Sequence, residues 1–217
     1  MIITWFGQAN FKIQGQNSTV VTDPFDKSFG LKMPRLASDI VTVSHDHKDH
    51  NNYKAVRGVT NDKPFIIENS GEYEVKNVFI QGIPSWHDNK EGAERGPNII
   101  YRIDIDGVSI THLGDLGHVL ANGQTGKLEG TDILMIPVGG TYTINAKQAT
   151  EIIAQLEPRI VIPMHYNLKG LKIPKKIDPV STFCKEFGAC PTEELNKFKI
   201  TKKDLPSGEL KVVIMQP

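Results

Sequence analysis

The short run 44–50 carries three histidines, His45, His47 and His50, and the carboxylate of Asp49. Imidazole nitrogens and carboxylate oxygens are the groups that bind Zn²⁺ and similar divalent ions in proteins. A polar loop that happens to be rich in histidine is the alternative, but the order His-x-His-x-Asp-His is too specific to favour it. The run therefore predicts a metal site.

The elements around this run place it at the end of a buried strand. Ile40, Val41 and Val43 predict a strand over 40–43, and residues 53–57 predict the start of a helix. A loop between a strand and a helix is a position where a rigid scaffold commonly presents catalytic or binding groups.

Three more candidate ligands, His87, Asp115 and His165, each follow a predicted strand. Taken alone, His87 or His165 is equally well explained as an ordinary surface histidine. However, ligands from different strands can meet at one edge of a sheet only if each of them follows the end of its strand, as these three do. A carboxylate has two oxygens and can bridge two ions, which a neutral imidazole cannot. We predict a first ion held by His45, His47 and His87, a second held by Asp49, His50 and His165, and Asp115 as the bridge.

The order of these motifs resembles the metallo-β-lactamase superfamily, a four-layer αββα fold that binds one or two metal ions. The resemblance rests on the histidine run and on segments 3–9, 21–24, 85–88, 113–115 and 162–166. It implies an α+β fold in a single domain over residues 1–217. It also implies that Asp23 supports the metal loop.

Within the superfamily, the chain is most similar to the small, single-domain, L-ascorbate-6-phosphate-lactonase-like hydrolases. Segments 114–118 and 138–143 resemble a subgroup whose substrate is mostly unassigned. The resemblance is clear over residues 1–168 and weak beyond them. Many relatives have histidine where this chain has Gln8, so a role of that imidazole does not carry over.

The resemblance and the ligand set predict a binuclear hydrolase that cleaves a small ester, lactone or phosphoester with a metal-bridged hydroxide. Two divalent ions are expected, with zinc favoured and manganese or iron as alternatives. Asp49 would orient the water and take its proton, and His118 would hold a substrate anion or protonate the leaving group. The alternatives are a compact nuclease or phosphodiesterase of the same fold, and a metal-binding protein without turnover.

Other polar residues near the motifs have weaker patterns. His112, within a strand, is expected to have a supporting or core role, and Tyr142 either faces the opening or packs as an aromatic residue. Four lysines after His165 form either a solvated basic face or a rim for phosphorylated substrates. They are Lys169, Lys172, Lys175 and Lys176.

The composition favours a cytoplasmic enzyme that acts on a small molecule. The 217 residues include 25 Lys+Arg and 25 Asp+Glu, so the zero net charge gives no reason to expect a nucleic acid partner. No run of apolar residues is long enough for a membrane span. Met1 leads directly into a strand, so no signal peptide is expected, and Cys184 and Cys190 are expected to be reduced thiols. A homo-oligomer is compatible with the sequence.

Short apolar runs separated by turn residues predict a chain dominated by strands. Asp106-Gly107 predicts a hairpin turn, and Asn145 is expected to cap a helix over 146–156, with a shorter helix over 179–187. The predicted strands are 2–6, 10–14, 18–22, 40–43, 64–67, 77–81, 98–104, 108–112, 132–136, 159–162, 197–200 and 210–215. Two sheets packed face to face with helices outside follow from the family resemblance.

Overall fold

The computed structural model describes residues 1–60, 62–191 and 193–217, and most of its strands lie in two large sheets. The strands are β1 (Ile2–Gly7), β2 (Asn10–Gln14), β3 (Thr19–Thr22), β4 (Ala37–Ser38), β5 (Ile40–Thr42), β6 (Arg57–Gly58), β7 (Phe65–Ile67), β8 (Gly71–Val75), β9 (Val78–Trp86), β10 (Pro97–Ile105), β11 (Val108–His112), β12 (Ile133–Pro137), β13 (Ile160–Met164), β14 (Glu194–Leu195), β15 (Phe198–Lys199), β16 (Lys211–Val212) and β17 (Ile214–Met215). The α-helices are α1 (Asn122–Lys127), α2 (Ala146–Leu156) and α3 (Val180–Phe187).

The first large sheet has the strand order β15-β1-β2-β3-β5-β7. Strands β1, β2 and β3 are antiparallel neighbours, whereas β3, β5 and β7 run parallel. The carboxyl ends of β3 and β5 therefore lie side by side at one edge. Asp23 follows β3 directly, and the histidine run begins two residues after β5.

The second large sheet has the order β16-β13-β12-β11-β10-β9-β8. Both β9 and β11 are antiparallel to β10, and β12 and β13 continue parallel to β11. Strands β9, β11 and β13 consequently end at the same edge of the sheet. His87, Asp115 and His165 follow these three strands, so the topology alone brings them to one edge.

The inner faces of the two sheets share one apolar core, as the αββα architecture requires. Trp5 and Phe11 from the first sheet pack in the same cluster as Ile80 and Ile133 from the second. Burial of each large apolar side chain contributes roughly 1.5–3 kcal/mol, so this interface is the main source of stability. The α+β class and the two-layer core predicted from the sequence are confirmed.

Helix α2 covers the outer face of the second sheet. Its buried residues lie on one side of the helix, and they are Ala146, Ala149, Ile152, Ile153 and Leu156. Asn145 caps it as predicted: the Asn145 side chain accepts a hydrogen bond from the Gln148 amide at 3.0 Å, and the Gln148 side chain accepts one in return. No helix among the described residues has the length and apolarity needed to cross a membrane.

The predicted start of a helix over 53–57 is wrong. The segment forms a 3₁₀ turn at Tyr53–Ala55, and the Asn52 side chain donates to the Phe25 carbonyl rather than capping a helix. The Arg57 amide then donates to the Leu36 carbonyl, which starts the pairing of β6 with β4. Tertiary pairing therefore ends the turn before a second helical turn can form.

Five of the strands and α-helices were not predicted, and they are β4, β6, β8, β14 and α1. Strand β8 is mostly exposed at a sheet edge and carries little apolar alternation, and α1 is rich in glycine and polar residues. The Asp106-Gly107 turn is confirmed: Ile105 pairs with Val108, and both turn residues have positive φ.

The expectation that Cys184 and Cys190 are reduced thiols is wrong, because the structure joins them in a disulfide with a Cα–Cα distance of 5.3 Å. Helix α3 ends at Phe187, and Gly188 adopts a left-handed φ of 86°. This residue turns the chain, so that Cys190 returns opposite Cys184. A spacing of six residues did not indicate the pair because the helix ends between them.

Tyr101 links the two sheets by a polar contact inside the apolar core. It lies on β10 of the second sheet, and its hydroxyl is 2.9 Å from the Val43 carbonyl oxygen and 3.0 Å from that of Ile67, both beside the first sheet. Burial raises the pKa of the Tyr101 phenol. The group therefore remains a neutral donor at the base of the metal loop.

Replacing Tyr101 with phenylalanine should lower the free energy of unfolding by about 1–2 kcal/mol, because two buried carbonyls lose their shared donor. Urea unfolding followed by circular dichroism measures this loss. Tyr73→Phe is the matched control, since the Tyr73 hydroxyl bonds the Asn69 carbonyl at a partly exposed position. Its effect should stay within about 0.5 kcal/mol. Equal losses in the two variants would contradict the proposed link between the sheets.

Candidate metal centre

Seven side chains converge where the carboxyl ends of the two sheets meet, and they are the seven that the sequence singled out. They form two groups in which the potential ligand atoms lie within 4.8 Å of one another. One group is His45, His47 and His87, and the other is Asp49, His50, Asp115 and His165. The structure thus brings the residues together, and their role as ligands remains a prediction.

Asp115 lies at the centre of both groups. Its Oδ2 is 3.3 Å from Nε2 of His50, 3.4 Å from Nε2 of His87 and 3.3 Å from Nε2 of His165. One carboxylate oxygen therefore contacts histidines of both groups, which is the placement that a bridging ligand needs.

Asn98 fixes the backbone at Asp115, and no sequence pattern pointed to it. Its side-chain oxygen accepts a hydrogen bond from the Asp115 amide at 2.9 Å. Its amide nitrogen donates to the Leu113 carbonyl and to the Ser85 hydroxyl. All three partners are buried, so this amide ties the loop that carries Asp115 to strand β9, which leads to His87.

Asp23 holds the histidine run. Its Oδ1 accepts from the Ser44 amide at 2.7 Å, and its Oδ2 accepts from the Ser44 hydroxyl at 2.6 Å. Nδ1 of His50 lies 2.9 Å from the same Oδ2, and Nδ1 of His45 lies 2.9 Å from the Ser44 oxygen. These bonds place a proton on each Nδ1, so Nε2 is the nitrogen of each ring that would bind a cation. The geometry agrees with the supporting role implied by the resemblance.

Two glycines allow the loops of the centre to pack closely. A Cβ on Gly114 would lie 2.7 Å from Cβ of Ser44, and one on Gly117 would overlap the backbone of His87 and Asp88. Any larger residue would push the Asp115 loop away from both histidine-bearing loops.

Burial and charge set the protonation states of the centre. Burial lowers the pKa of His45 and of His87, which keeps both imidazoles neutral at pH 7. Burial alone would also lower the pKa of His50, but the carboxylates of Asp115 and Asp49 outweigh it and raise that pKa. Cation binding should therefore release a proton from the cluster.

The donor set fits divalent ions. Buried polar groups are nearly always hydrogen-bonded, yet several atoms of this cluster have no partner among the described residues. They are Nε2 of His45 and His50, Nδ1 of His87 and His165, and Oδ1 of Asp115. Five imidazoles and two carboxylates are a set that zinc, manganese and iron accept.

Five of the seven predicted ligands line a cavity of about 270 Å³. Three apolar residues, Phe29, Ile173 and Pro174, also line this cavity. A larger groove of about 920 Å³ lies on the other side of the histidine run, but among the seven it contacts only His45. The smaller cavity is therefore the candidate substrate pocket.

The structure does not bring His118 to this cavity. Its Nε2 accepts a hydrogen bond from the Trp86 amide at 3.2 Å, and its Nδ1 lies 2.8 Å from the Val119 carbonyl. One nitrogen therefore contacts the backbone next to His87, and the other contacts the backbone of the following residue, Val119. The predicted role on substrate is not favoured by this placement.

The weaker predictions have mixed outcomes. His112 is fully buried, and its Nε2 lies 2.9 Å from the Ala9 carbonyl, in agreement with a core role. Tyr142 lines the cavity, but its hydroxyl accepts from the Lys175 amide. The four lysines after His165 are absent from the described cavity wall, in agreement with a solvated face.

Two polar cavity residues, Gln8 and Arg95, were not identified from the sequence as parts of the site. Nε2 of Gln8 lies 3.2 Å from Nε2 of His165, and its side-chain oxygen is buried without a partner in the described structure. The GQA segment of the N-terminal motif was the available signal for Gln8. No motif signalled Arg95, which lies in a loop after His87.

Comparisons with known proteins agree with the geometry. The model of the beta-lactamase superfamily domain matches residues 2–165. A UPF0173 metal-dependent hydrolase from Thermococcus onnurineus is 30% identical over 76% of this chain and 84% of its own length.

Solved structures show the same fold. A candidate zinc-dependent hydrolase of the metallo-beta-lactamase superfamily from Thermotoga maritima is 36% identical, with a TM-score of 0.77 over 99% of this chain and 97% of its own. A metallo hydrolase from Ignicoccus hospitalis, 20% identical, has a TM-score of 0.64 over 100% and 95% of the two chains. The chain therefore belongs to the UPF0173 metal-dependent hydrolase family of the metallo-beta-lactamase superfamily.

Proposed function

We propose that this protein is a binuclear hydrolase that cleaves a small ester, lactone or phosphoester. The observation that carries the proposal is the pair of ligand groups around Asp115, which open into one small cavity. A bridging carboxylate between two sets of imidazoles is suited to hold two ions close together. Zinc is the favoured ion, and the lactonase-like branch remains the favoured relative.

The chain would hold the ions through the five histidines, Asp115 and Asp49, and Asp49 would also accept a proton. Bound divalent ions would supply Lewis acidity, which lowers the pKa of water and polarises a substrate oxygen. Burial would raise the pKa of Asp49, but the neighbouring His50 outweighs it and holds the pKa below the ordinary value. Asp49 would therefore face the cavity as a carboxylate, orient the attacking water and accept its proton.

The cavity limits the substrate to a small molecule. Its volume of about 270 Å³ is near the lower end for ligand pockets. A nucleic acid would need a row of cationic side chains along an open groove. The described wall of this cavity has one cationic side chain, that of Arg95. The nuclease alternative is therefore disfavoured. A cytoplasmic location and a homo-oligomer remain predictions.

Turnover of a mixed panel by zinc-loaded protein tests this function. The panel contains simple esters and lactones, thioesters, phosphomonoesters and phosphodiesters. Hydrolysis of esters, lactones or phosphomonoesters supports the proposal, whereas turnover of nucleotide phosphodiesters alone would favour the compact phosphodiesterase. Full metal content with no turnover of any compound would favour a metal-binding protein without catalysis.

Protein purified without chelator and reconstituted with zinc should contain two ions per chain, because the seven predicted ligands form two groups. Elemental analysis measures the ratio. A value at or below one equivalent after reconstitution would rule out the binuclear proposal.

Replacement of Asp115 with alanine should weaken both sites, because Asp115 is the one predicted ligand that they share. His87→Ala should mainly remove the first ion, and His165→Ala the second. Titration with zinc, combined with turnover, separates these effects. Asp46→Ala is the control, since Asp46 is an exposed residue of the same loop without a predicted ligand role. Full metal content in Asp115→Ala would exclude the bridging assignment.

His118→Ala should act through the backbone next to His87. We expect the fold to remain and the affinity for one zinc ion to fall, with turnover largely recovered at saturating zinc. Turnover and zinc stoichiometry across a zinc titration measure this. A fall in kcat/KM of roughly 10²-fold with both ions bound would instead show that His118 acts on substrate, the scale expected for an acid–base group.

A further inference from the structure

A single cationic side chain lines the candidate pocket. Within the described part of the chain, Arg95 is the one lysine or arginine on the cavity wall. The same wall contains two carboxylates, those of Asp49 and Asp115. It is absent from the predicted ligand set and from the chemistry proposed above. Its function therefore needs a separate explanation.

The backbone at Arg95 is fixed to the metal centre through Asp88. This residue follows His87, is buried, and its carboxylate accepts backbone hydrogen bonds from Lys90, Gly92, Glu94 and Arg95 at 2.8–3.0 Å. These four bonds hold the 88–95 loop at a defined position relative to His87.

The guanidinium of Arg95 is also held in place. It lies over the ring of Tyr142, with 5.9 Å between Cζ and the ring centroid, and Nη2 donates to the Thr141 carbonyl at 3.1 Å. A guanidinium has five N–H donors in a planar fork, and this bond uses one of them. Because Arg95 lines the cavity, its remaining donors can serve a ligand there.

Glu94 does not neutralise Arg95. Its Oε2 lies 3.9 Å from Nη1 of Arg95, whereas its Oε1 forms a 2.6 Å pair with Lys90. The Glu94 side chain is 47% exposed, so solvent screens the longer pair strongly. Arg95 therefore remains a cation, and several of its N–H donors have no strong partner among the described residues.

We propose that Arg95 binds a carboxylate of the substrate, so that the substrate of this hydrolase is a small carboxylated ester or lactone. This inference rests on the proposed hydrolytic function and names its substrate class. The apolar wall of Phe29, Ile173 and Pro174 suits a short carbon chain between the carboxylate and the scissile group. A planar carboxylate matches one guanidinium in a bidentate pair, whereas a phosphate dianion commonly recruits further cations.

Binding of two matched carboxylic acids to zinc-loaded protein tests the proposal by calorimetry. Valerate and glutarate have the same carbon chain, and glutarate has a second carboxylate at its far end. In the wild type, one carboxylate can bind at the metal centre and the second at Arg95. We expect glutarate to bind at least about 10-fold more tightly than valerate, the scale of one charge-assisted pair.

Arg95→Gln should remove this difference and leave the affinity for valerate unchanged. Lys175→Gln is the matched control: it removes a nearby cation, while the backbone bond from Lys175 to the Tyr142 hydroxyl is retained. Equal binding of the two acids to the wild type would overturn the proposal. A glutarate preference that persists in Arg95→Gln would also overturn it.

A third probe, 4-phosphonobutyrate, separates carboxylate from phosphate recognition. The affinity of each probe is compared with that of valerate. An increase in affinity that depends on Arg95 and is larger for 4-phosphonobutyrate than for glutarate would overturn the carboxylate assignment. All three probes are bound rather than cleaved, and zinc content is measured on the same samples. Failure of the hydrolase proposal would therefore appear as missing turnover or missing zinc, and loss of the Arg95 effect would appear in the binding data alone.

Discussion

The metal centre depends on the hydrogen bonds that the buried carboxylate of Asp23 accepts. Asp23 follows strand β3, and its hydrogen bonds reach the Ser44 backbone, the Ser44 hydroxyl and the His50 ring. Through Ser44 it also orients His45. One side chain thereby sets the position and the tautomer of histidines from both ligand groups. A buried carboxylate is costly unless it is fully paired, and these contacts supply that pairing.

Part of the backbone strain lies at the same place. Gln8, Asp23 and His165 are non-glycine residues with φ of 47°, 39° and 49°. Left-handed conformations of this kind cost of order 1 kcal/mol or more each and persist only where surrounding contacts determine them. The three residues meet at the edge where both sheets end: the His165 amide bonds the Gln8 carbonyl, while Asp23 holds the metal loop. The stable apolar core between the sheets thus supports strained geometry at the site.

The sequence predicts much of the fold because burial leaves a readable pattern. Apolar runs marked the central strands, and Asp106-Gly107 marked a hairpin by its conformational preference. The pattern fails where tertiary contacts replace it. Tyr53–Ala55 turns only once because Arg57 pairs with a distant strand, and Cys190 reaches Cys184 because Gly188 reverses the chain. Neither contact can be read from local periodicity.

The residues of the candidate site also fall into those that the sequence indicated and those that it did not. All seven proposed ligands follow strands, so residue type and position were enough to single them out. Asn98, Asp88 and Arg95 were not found, because their importance comes from hydrogen bonds between distant backbone segments. Asp88 is the clearest example: it resembles one more acidic residue beside a histidine, yet it closes the loop that carries Arg95. A ligand motif therefore indicates the chemistry of the centre, whereas substrate selection is expected to depend on neighbouring loops that such a motif does not describe.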